Sequence, residues 1–313
     1  MADKKTISVM IPCYNEEENA RPIYEAVRDE ILKSCSNYNY EILFIDNKSR
    51  DNTRQIIEEI CAEDPCVKAI FNSKNFGQFN SPYYGILNTS GDCTITICAD
   101  FQDPVEMIPK FIEKWEEGKK IVIGKKTRSK ESKFMYFLRG CYYKLIKKMS
   151  SVEMIEQFTG FGLYDKSFVD TLRNLKDPTP FIRGIVAELG PERAEIEYEQ
   201  PQRRAGKTSN NFFSLYDAAM LSFTSYTKAG LRIATFLGAF FAGTSFLLGL
   251  IEGILKLIIR HTLAPTASTI LLAVVFFGGL QLAFLGFLGE YVMSTNTRMM
   301  NRPLVIEERR INF

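Results

Sequence analysis

Residues 7–20 read ISVMIPCYNEEENA, and in this stretch an apolar, partly β-branched run gives way at Pro12 to a polar and acidic segment. From Ala20 onward, apolar residues recur at intervals of three and four. This order is typical of a buried strand that leads through a short polar loop into a helix. The stretch therefore predicts one βα unit whose loop lies at the carboxyl end of the strand.

The same order of strand, loop and helix recurs as far as Gly124. Each short β-branched or aromatic run is followed by a segment with apolar residues at helical spacing. Repeated units of this kind build an α/β domain with a doubly wound, mostly parallel sheet. The predicted strands are Ile7–Ile11, Tyr40–Asp46, Ala69–Asn72, Cys93–Ala99 and Ile121–Gly124. The predicted helices are Ala20–Lys33, Thr53–Ala62, Phe79–Thr89 and Met107–Glu117.

Two polar loops follow the first two predicted strands, at the edge where such sheets bind their ligands. Residues 12–19 read PCYNEEEN and residues 46–53 read DNKSRDNT, and each loop runs into a predicted helix. A helix N-terminus attracts anions, and an Asp can accept a hydrogen bond from a base or a ribose. Neither loop is a P-loop or a GxGxxG motif. The alternative is that their Asn, Asp and Ser residues only cap the helices.

A third loop, residues 98–104 with the sequence CADFQDP, follows the apolar run TITI. In an extended chain Asp100 and Gln102 lie two residues apart, so both side chains face the same way. Their oxygens are hard ligands, suited to Mg²⁺ or Mn²⁺ that carries a diphosphate. Pro104 is suited to the first turn of a helix. The alternative is that Asp103 caps that helix and that Asp100 and Gln102 share no role.

Two uncharged apolar runs, Ile233–Ile251 and Thr262–Gly289, stand near the end of the chain. Each is long enough to span a membrane, because about 20 helical residues cross about 30 Å of hydrocarbon. The sequence therefore predicts two transmembrane helices. The alternative is a pair of buried core helices, but such helices normally carry a polar stripe.

The residues around the two runs predict how the chain lies on the membrane. Basic residues are modestly more frequent on the outer flanks of the two runs than in the turn that connects them. Residues 1–10 lack the apolar core of a signal peptide. The N-terminal domain and the tail are therefore expected to be cytosolic. Residues 212–232 are aromatic and sparsely charged, which suits helices in the interface plane, the alternative being a buried helix of the domain. The expected order is a cytosolic α/β domain at 1–210, juxtamembrane amphipathic helices at 211–232, transmembrane helices at 233–257 and 263–291, and a cytosolic tail at 292–313.

The composition argues against several other kinds of protein. The net charge is only +2 over 313 residues, and the basic residues lack the aromatic interleaving of a nucleic-acid surface, so no nucleic-acid partner is expected. The seven cysteines show neither the paired spacing of a zinc site nor a compact disulfide framework. Reduced and mostly buried thiols are therefore expected.

The motifs together resemble those of the family 2 glycosyltransferases with the GT-A fold. The resemblance rests on VMIPCYNEEEN at 9–19, ILFIDNKSRDNT at 42–53, SKNFGQ at 73–78 and CADFQDP at 98–104. Within that family the chain is similar to the polyisoprenyl-phosphate glycosyltransferases, a group that includes dolichyl-phosphate mannose synthase. That likeness rests on TGFGLYD at 159–165, FIRGIVAELG at 181–190, RRAGKTS at 203–209, the two apolar runs and GEYV at 289–292.

The resemblance implies roles for residues at matching positions. It places the catalytic function on Asp100, Arg128 and Arg203, with Arg203, Gly206 and Thr208 in the element near the acceptor phosphate, and the metal on Asp100 and Gln102. It assigns binding of the nucleotide sugar to Pro12, Tyr14, Asn15, Glu16, Asp46, Asn75, Gly77, Gln78, Ala99, Asp100, Gln102, Lys126 and Lys207, with Asp46 at the base. The alternative for Lys126 and Arg128 is a solvated basic loop.

The chain departs from the family pattern at three places. Cys98 stands where the family usually has an Asp of the metal motif, and a soft thiol is a poor ligand for a hard cation. Phe161 and Gly162 stand where many relatives have an Asp that is proposed to act in catalysis. Ser209 replaces a frequent Lys, although Lys207 lies close by in the sequence. The first two departures leave the catalytic base open.

The resemblance implies inverting, metal-dependent transfer of a sugar from a nucleotide sugar, UDP-linked in most bacterial relatives with two spans, to a polyprenyl phosphate such as undecaprenyl phosphate. It places the protein in the bacterial plasma membrane, multi-pass, as a homo-oligomer, since relatives form tetramers. A phosphate monoester is largely ionised at neutral pH, so this reaction depends more on positioning than on a general base. Two alternatives stay open: a catalytically silent sugar-nucleotide-binding protein, favoured by Cys98, and a processive polysaccharide synthase, whose QxxRW motif is absent.

Overall fold

A computed structural model describes residues 4–127, 155–190, 192–205 and 267–313, together with scattered residues between 216 and 254. The strands of these ranges are β1 Thr6–Cys13, β2 Asn39–Asp46, β3 Val67–Asn72, β4 Cys93–Thr96, β5 Ile121–Lys126, β6 Phe158–Asp165, β7 Ala194–Tyr198 and β8 Glu307–Ile311. The helices are α1 Ala20–Ser34, α2 Thr53–Glu63, α3 Gly77–Leu87, α4 Met107–Glu116, α5 Lys166–Leu175, α6 Ile182–Leu189 and α7 Ala267–Met299.

The described strands form one sheet in the order β7-β5-β6-β4-β1-β2-β3-β8. The pairs among β1, β2, β3 and β4 are parallel, as is the pair of β5 and β7, which confirms the predicted mostly parallel α/β domain. Strand β6 runs antiparallel to β4 and β5, and β8 runs antiparallel to β3, so the sheet is mixed. Because β2 and β4 lie on opposite sides of β1, the strand order reverses there, and a crevice opens beyond the carboxyl ends of β1 and β4.

Helices cover both faces of the sheet, which confirms the doubly wound arrangement. Alternate residues of β1 divide between two cores: Val9 packs on the face covered by α1, α2 and α4, whereas Met10 packs on the face covered by α3, α5 and α6. Both side chains are at most 1% exposed. A strand that is buried on both faces has a nearly continuous apolar sequence, and for this reason residues 7–11 predict β1 clearly.

The predicted helices α1 to α4 agree with the structure within two residues at each end. The extended path predicted through residue 102 is wrong, because β4 ends at Thr96 and Phe101 has a left-handed backbone with φ of 60°. The main-chain N–H of Gln102 donates to Asp100 Oδ1 at 3.1 Å. Such a local bond from side chain to backbone competes with extended structure, and it turns the loop.

The cysteines of the described ranges are free thiols, as predicted. Four of them, Cys13, Cys35, Cys61 and Cys93, are buried, whereas Cys66 and Cys98 are exposed. Burial raises the pKa of the Cys35 thiol to about 11, with Glu30 and Glu116 adding to the rise. These buried thiols act as small apolar side chains of the core.

Helix α7 contains the described segment that is long and apolar enough to cross a membrane, Phe276–Met299, with a mean hydropathy of 1.4. The second predicted span ends at residue 291, whereas α7 continues to Met299. No Gly or Pro lies between Glu290 and Met299 to end the helix earlier, and the chain leaves it only at Asn301, whose φ is 43°. The predicted tail at 292–313 therefore begins with the last turns of α7.

Most of the first apolar run and of the predicted juxtamembrane helices lies outside the described residues. The residues that are described between 216 and 254 are all helical. The ring of Phe241 meets that of Phe277 in α7 edge to face, with centroids 5.5 Å apart, and the centroid of Phe223 lies 6.4 Å from that of Phe287. The predictions of a first span and of an interfacial collar stay predictions.

Candidate functional site

A cavity of about 410 Å³ opens at the predicted edge of the sheet, beyond the carboxyl ends of β1, β4 and β5. Four of its lining residues, Pro12, Gln78, Gln102 and Lys126, are predicted binding residues from four separate segments of the chain. The topology thus brings together side chains that lie more than a hundred positions apart. This cavity is the candidate active site.

The loops after β1 and β2 bind each other at one side of this edge. The N–H of Asn15 donates to Ser49 Oγ at 2.9 Å, and Asn15 Oδ1 accepts from the N–H of Arg50 at 2.8 Å. The residues that begin α1 and α2, Asn19 and Asn52, make no capping bond with their side chains. The polar residues of these loops therefore fix one loop to the other, and the interpretation that they only cap helices is wrong.

Asn47, which the sequence analysis did not single out, holds the loop at 73–78. Its Nδ2 donates to Asn75 Oδ1 at 3.0 Å and to the carbonyl of Gly77 at 3.1 Å, while its Oδ1 accepts from the N–H of Phe76 at 2.8 Å. Gly77 has a φ of 87°, a conformation that residues with a Cβ rarely adopt. Asn75, Gly77 and the following Gln78 are therefore placed by one buried amide.

Asp46 lies at the end of β2 with only 1% of its surface exposed. Its carboxylate accepts from the N–H of Ser49 at 3.2 Å, and Oδ2 lies 3.2 Å from Nε of Arg54 in an ion pair. Burial raises the pKa of Asp46, while hydrogen bonds from Ser49 and the charge of Arg54 oppose that rise. The predicted role of Asp46 at the base remains a prediction, and the structure shows that Arg54 is its ionic partner.

Arg203 lies between two acidic residues of the predicted site. Its Nη2 donates to Glu16 Oε1 at 2.5 Å, and its Nε lies 3.8 Å from Asp100 Oδ2. Burial raises the pKa of Glu16, whereas its bonds with Asn19 and Arg203 lower it. The guanidinium therefore joins the loop after β1 to the loop after β4.

Cys98 and Asp103, which stand on either side of Asp100 in the loop after β4, both line the cavity. Asp103 accepts from the N–H of Cys98 at 3.1 Å and from the hydroxyl of Tyr198 at 3.2 Å, and burial raises its pKa. The helix that follows begins after Glu106, so the interpretation of Asp103 as its cap is wrong. The Cys98 side chain is accessible from the cavity but surrounded by protein atoms, and this desolvation, with Asp103 and Asp100 close by, raises the pKa of its thiol well above the usual value. Cys98 is therefore a neutral thiol at physiological pH.

The second departure from the family pattern has a packing explanation. Phe161 is 2% exposed, and its ring meets those of Phe111 and Tyr198 edge to face at 4.9 and 5.2 Å. A Cβ added at Gly162 would collide with the carbonyl oxygen of Val122 in β5. Phe161 thus lines the cavity with an apolar ring, and Gly162 has no room for a side chain, so neither residue offers a carboxylate.

The acidic groups of the site fit a divalent cation only in part. Among the described residues there is no group of three His, Cys, Asp or Glu side chains placed to hold a metal ion. A cation that carries a diphosphate takes most of its ligands from phosphate and water, and one or two carboxylates suffice. Asp100, whose side chain is 14% exposed, lies in the loop between Cys98 and Gln102, which line the cavity, and it meets that requirement.

The remaining predicted residues differ in burial, and some lie outside the described part of the chain. Ala99 is 1% exposed and packs in the core, so only its main chain can face a ligand. Tyr14 is half-buried in the loop after β1. Arg128, Gly206, Lys207 and Thr208 lie outside the described residues.

The cavity also has lining residues that the sequence analysis did not name. Arg183, at the start of α6, stacks on Phe181 with its guanidinium carbon 4.8 Å from the ring centroid. Gln200, which follows β7, lines the same cavity. The motif FIRGIVAELG was the available signal for Arg183, whereas nothing in the local sequence points to Gln200.

Comparison with known proteins defines the family. Residues 8–173 match the model of glycosyl transferase family 2. The chain is 33% identical over 301 residues to the SfII prophage-derived bactoprenol glucosyl transferase of Shigella flexneri, with 96% of each chain covered. It is also 33% identical to the prophage bactoprenol glucosyl transferase homolog of Escherichia coli K12, over 97% of this chain and 98% of that relative. The chain belongs to glycosyl transferase family 2, and it is a glycosyltransferase.

A search of solved structures found similarity to mannosyl-3-phosphoglycerate synthase from Rubrobacter xylanophilus. The two chains are 15% identical, with a TM-score of 0.49, and the match covers 70% of this chain and 71% of that one.

Proposed function

We propose that this glycosyltransferase moves a hexose from a UDP-linked sugar to a polyprenyl phosphate, with undecaprenyl phosphate as the acceptor, at the cytosolic face of the bacterial plasma membrane. The observation that carries the proposal is identity of 33% over almost the full length with proteins named bactoprenol glucosyl transferase. A long apolar helix that follows the catalytic domain agrees with a lipid substrate. The products serve a cell-envelope glycan or a lipid modification.

The donor binds in the cavity beyond β1 and β4. The loops at 12–19, 46–53 and 73–78 hold the nucleoside, with Asp46 toward the base and Asn15, Asn75 and Gln78 around it. Lys126 and Arg183 bring positive charge to the cavity for the diphosphate. Fixed cationic groups of this kind stabilise the negative charge that grows on a departing nucleoside diphosphate.

A divalent cation, Mg²⁺ or Mn²⁺, would be held by Asp100, with Gln102 beside it, and when bound it neutralises charge on the leaving diphosphate. Cys98 adds no hard ligand for such a cation, because its sulfur is soft, and burial beside Asp103 raises the pKa of its thiol. The protein's own contribution is to hold one carboxylate at the cavity and to leave the other coordination positions to phosphate and water.

The acceptor phosphate lies on the opposite side of the sugar, near Arg203 and, by resemblance, Arg128 and Lys207. An oxygen of the ionised lipid phosphate attacks the anomeric carbon, a new C–O bond forms, and the bond to the nucleoside diphosphate breaks with inversion. The attacking oxygen carries no proton at neutral pH, so the absence of a carboxylate at Phe161 and Gly162 does not prevent the reaction. Correct placement of the two anions supplies most of the rate enhancement.

The membrane-proximal part of the chain places this cavity at the lipid surface. Arg298, in the last turn of α7, lies 3.3 Å from Asp177, which follows α5 of the catalytic domain. This contact supports a topology in which the carboxyl end of α7 and the catalytic domain lie on the same side of the membrane, with spans at 233–257 and 263–291, juxtamembrane helices at 211–232 and a cytosolic tail. The homo-oligomer, a tetramer, rests on the resemblance alone.

The test is a transfer assay with the purified, detergent-solubilised protein. Labelled UDP-glucose is incubated with undecaprenyl phosphate and Mg²⁺ or Mn²⁺, and lipid-extractable label is measured, followed by a panel of other UDP-sugars and GDP-mannose. A single hexose on the lipid phosphate, formed only with the acceptor present, supports the proposal. Nucleotide binding without turnover across the panel would favour a catalytically silent protein, and a growing polymer would favour a processive synthase.

A further inference from the structure

The chain returns to the catalytic domain after α7 and adds an edge strand to its sheet. Strand β8 pairs antiparallel with β3, with Phe71 opposite Arg309 and Asn72 opposite Glu307. Glu308 is therefore an extra residue in β8, which makes a β-bulge at this point. A bulge of this kind changes the direction of a side chain, which no longer follows the regular alternation between the two faces of the sheet. Bulges are frequent beside active sites.

The bulge directs the carboxylate of Glu308 to the loop after β2. Its Oε2 lies 2.6 Å from Nζ of Lys48 and 3.1 Å from Nη2 of Arg54. Lys48 has a φ of 64°, a left-handed conformation that is uncommon for a residue with a Cβ. The ion pair with Glu308 thus lies where the loop at 46–53 carries backbone strain.

Arg54 connects Glu308 to the buried Asp46. Its Nε lies 3.2 Å from Asp46 Oδ2, and its guanidinium carbon lies 5.0 Å from the ring centroid of Phe71 in β3. The side chain of Arg54 is only 20% exposed, so its position is well determined by these contacts. A continuous series of charges therefore leads from the tail, through Arg54, to the predicted contact with the base.

The tail also touches the loop after β3. The carbonyl of Ile306 accepts from the N–H of Ser73, the first residue of the loop at 73–78, at 2.9 Å. The segment after the membrane helix thus supports two of the three loops that surround the proposed donor nucleotide.

We propose that β8 is a structural part of the donor site and that Glu308 is a positioning residue for the nucleotide-binding loop at 46–53. This inference rests on the proposed function. Glu308 does not touch the cavity; it fixes Arg54 and Lys48, and these two residues fix the main chain and the carboxylate of Asp46. Affinity for the nucleotide therefore depends on a residue that follows the membrane-embedded part of the chain, whereas the chemical step does not.

The test compares Glu308→Gln with Glu58→Gln in the full-length protein. Glu58 lies in α2 and pairs with Arg309 of β8, so its substitution removes another ion pair between the same two elements without touching Lys48 or Arg54. We expect Glu308→Gln to raise the KM for the UDP-sugar and the Kd for UDP by about twofold to fivefold, the effect that the loss of an exposed ion pair can have. The kcat and the KM for undecaprenyl phosphate should stay within about twofold of wild type. Glu308→Asp should recover most of the affinity, and Glu58→Gln should not change it.

If Glu308→Gln folds poorly, two further results test the positioning role of Glu308. Lys48→Gln, which leaves β8 intact, should weaken UDP binding in the same direction. Equal affinities for wild type, Glu308→Gln and Lys48→Gln, or an equal loss with Glu58→Gln, would overturn the inference while leaving the proposed function in place. A wild-type protein that neither binds UDP nor transfers sugar would contradict the proposed function itself.

Discussion

Nη2 of Arg203 lies 2.5 Å from Oε1 of Glu16, although the two residues are 187 positions apart in the sequence. The same guanidinium lies 3.8 Å from Asp100 through its Nε. One cation therefore connects the loop after β1, the loop after β4 and the segment that leads to the proposed spans. In the proposed reaction this is the point at which the lipid phosphate and the nucleotide sugar meet.

Arg203→Ala should reduce kcat with undecaprenyl phosphate by about a hundredfold, because a fixed charge at the reacting phosphate is lost. Arg203→Lys should retain part of the activity, since it keeps the charge and loses the fork of donors. The measurement is steady-state transfer together with UDP binding by calorimetry, which should change little. Arg193→Ala is the control, because Arg193 pairs with Glu195 on β7. Full activity of Arg203→Ala would exclude a role at the acceptor.

Asp100→Asn should lower kcat by at least about a hundredfold, since the neutral amide keeps an oxygen ligand but removes the negative charge that holds the cation. The protein should still fold, because the amide oxygen can accept from the N–H of Gln102 as the carboxylate does. Activity is measured across a range of Mn²⁺ concentrations, and thermal unfolding is recorded in parallel. Asp170→Asn, which removes the exposed ion pair of Asp170 with Arg173, is the matched control. An active Asp100→Asn enzyme would contradict the metal assignment.

Cys98→Asp should retain or raise transfer and should lower the Mn²⁺ concentration that gives half-maximal activity. The physical reason is that a thiol stands at position 98, so the wild-type site offers one carboxylate fewer than the family pattern. Cys98→Ser keeps the size of the side chain without adding charge, and its metal dependence should match that of wild type. If Cys98→Asp needs more metal than Cys98→Ser, position 98 does not face the cation.

Glu16 gives a prediction about pH and stability. Burial raises its pKa above the ordinary 4.5, so the native state binds this proton more tightly than the unfolded chain does. The contribution of Glu16 to the free energy of unfolding is therefore fully present below about pH 4.5 and is lost as the pH rises through the raised pKa. The Tm of Glu16→Gln relative to wild type should increase from pH 4.5 to neutral pH, as measured by thermal unfolding in detergent. A difference that stays constant or decreases would contradict the direction of the shift.

The two proposed spans predict which positions are accessible from outside the cell. His261→Cys should react with a membrane-impermeant maleimide in intact cells, because it lies in the connection between the spans. Arg302→Cys, beyond the end of α7, should react only after permeabilisation. The native thiols are controls, since all seven are expected on the cytosolic side or within the protein. Labelling of Arg302→Cys in intact cells would exclude the proposed topology.

The sequence by itself determined the βα units and their carboxyl-edge loops. Strands that are buried on both faces leave nearly continuous apolar runs, such as Ile7–Ile11, and the helices between them keep apolar residues at fixed intervals. The order of short motifs then determined the family, and the resemblance placed Asp100 and Arg203 at one site. These are local properties, which depend on neighbours in the chain and not on the assembled fold.

Only the tertiary structure decided how distant groups meet. The turn at Phe101 replaced the expected extended path because a side chain of Asp100 bonds to the backbone two residues later. Asn47 and Glu308 position loops that follow other strands, through contacts between residues distant in the sequence. The spacing of residues in the sequence does not predict such contacts. Cys98 has a protonated thiol because the folded protein desolvates it beside Asp103. Burial and the meeting of distant charges arise only when the sheet is assembled, so they determine the site's electrostatics without leaving a pattern in the sequence.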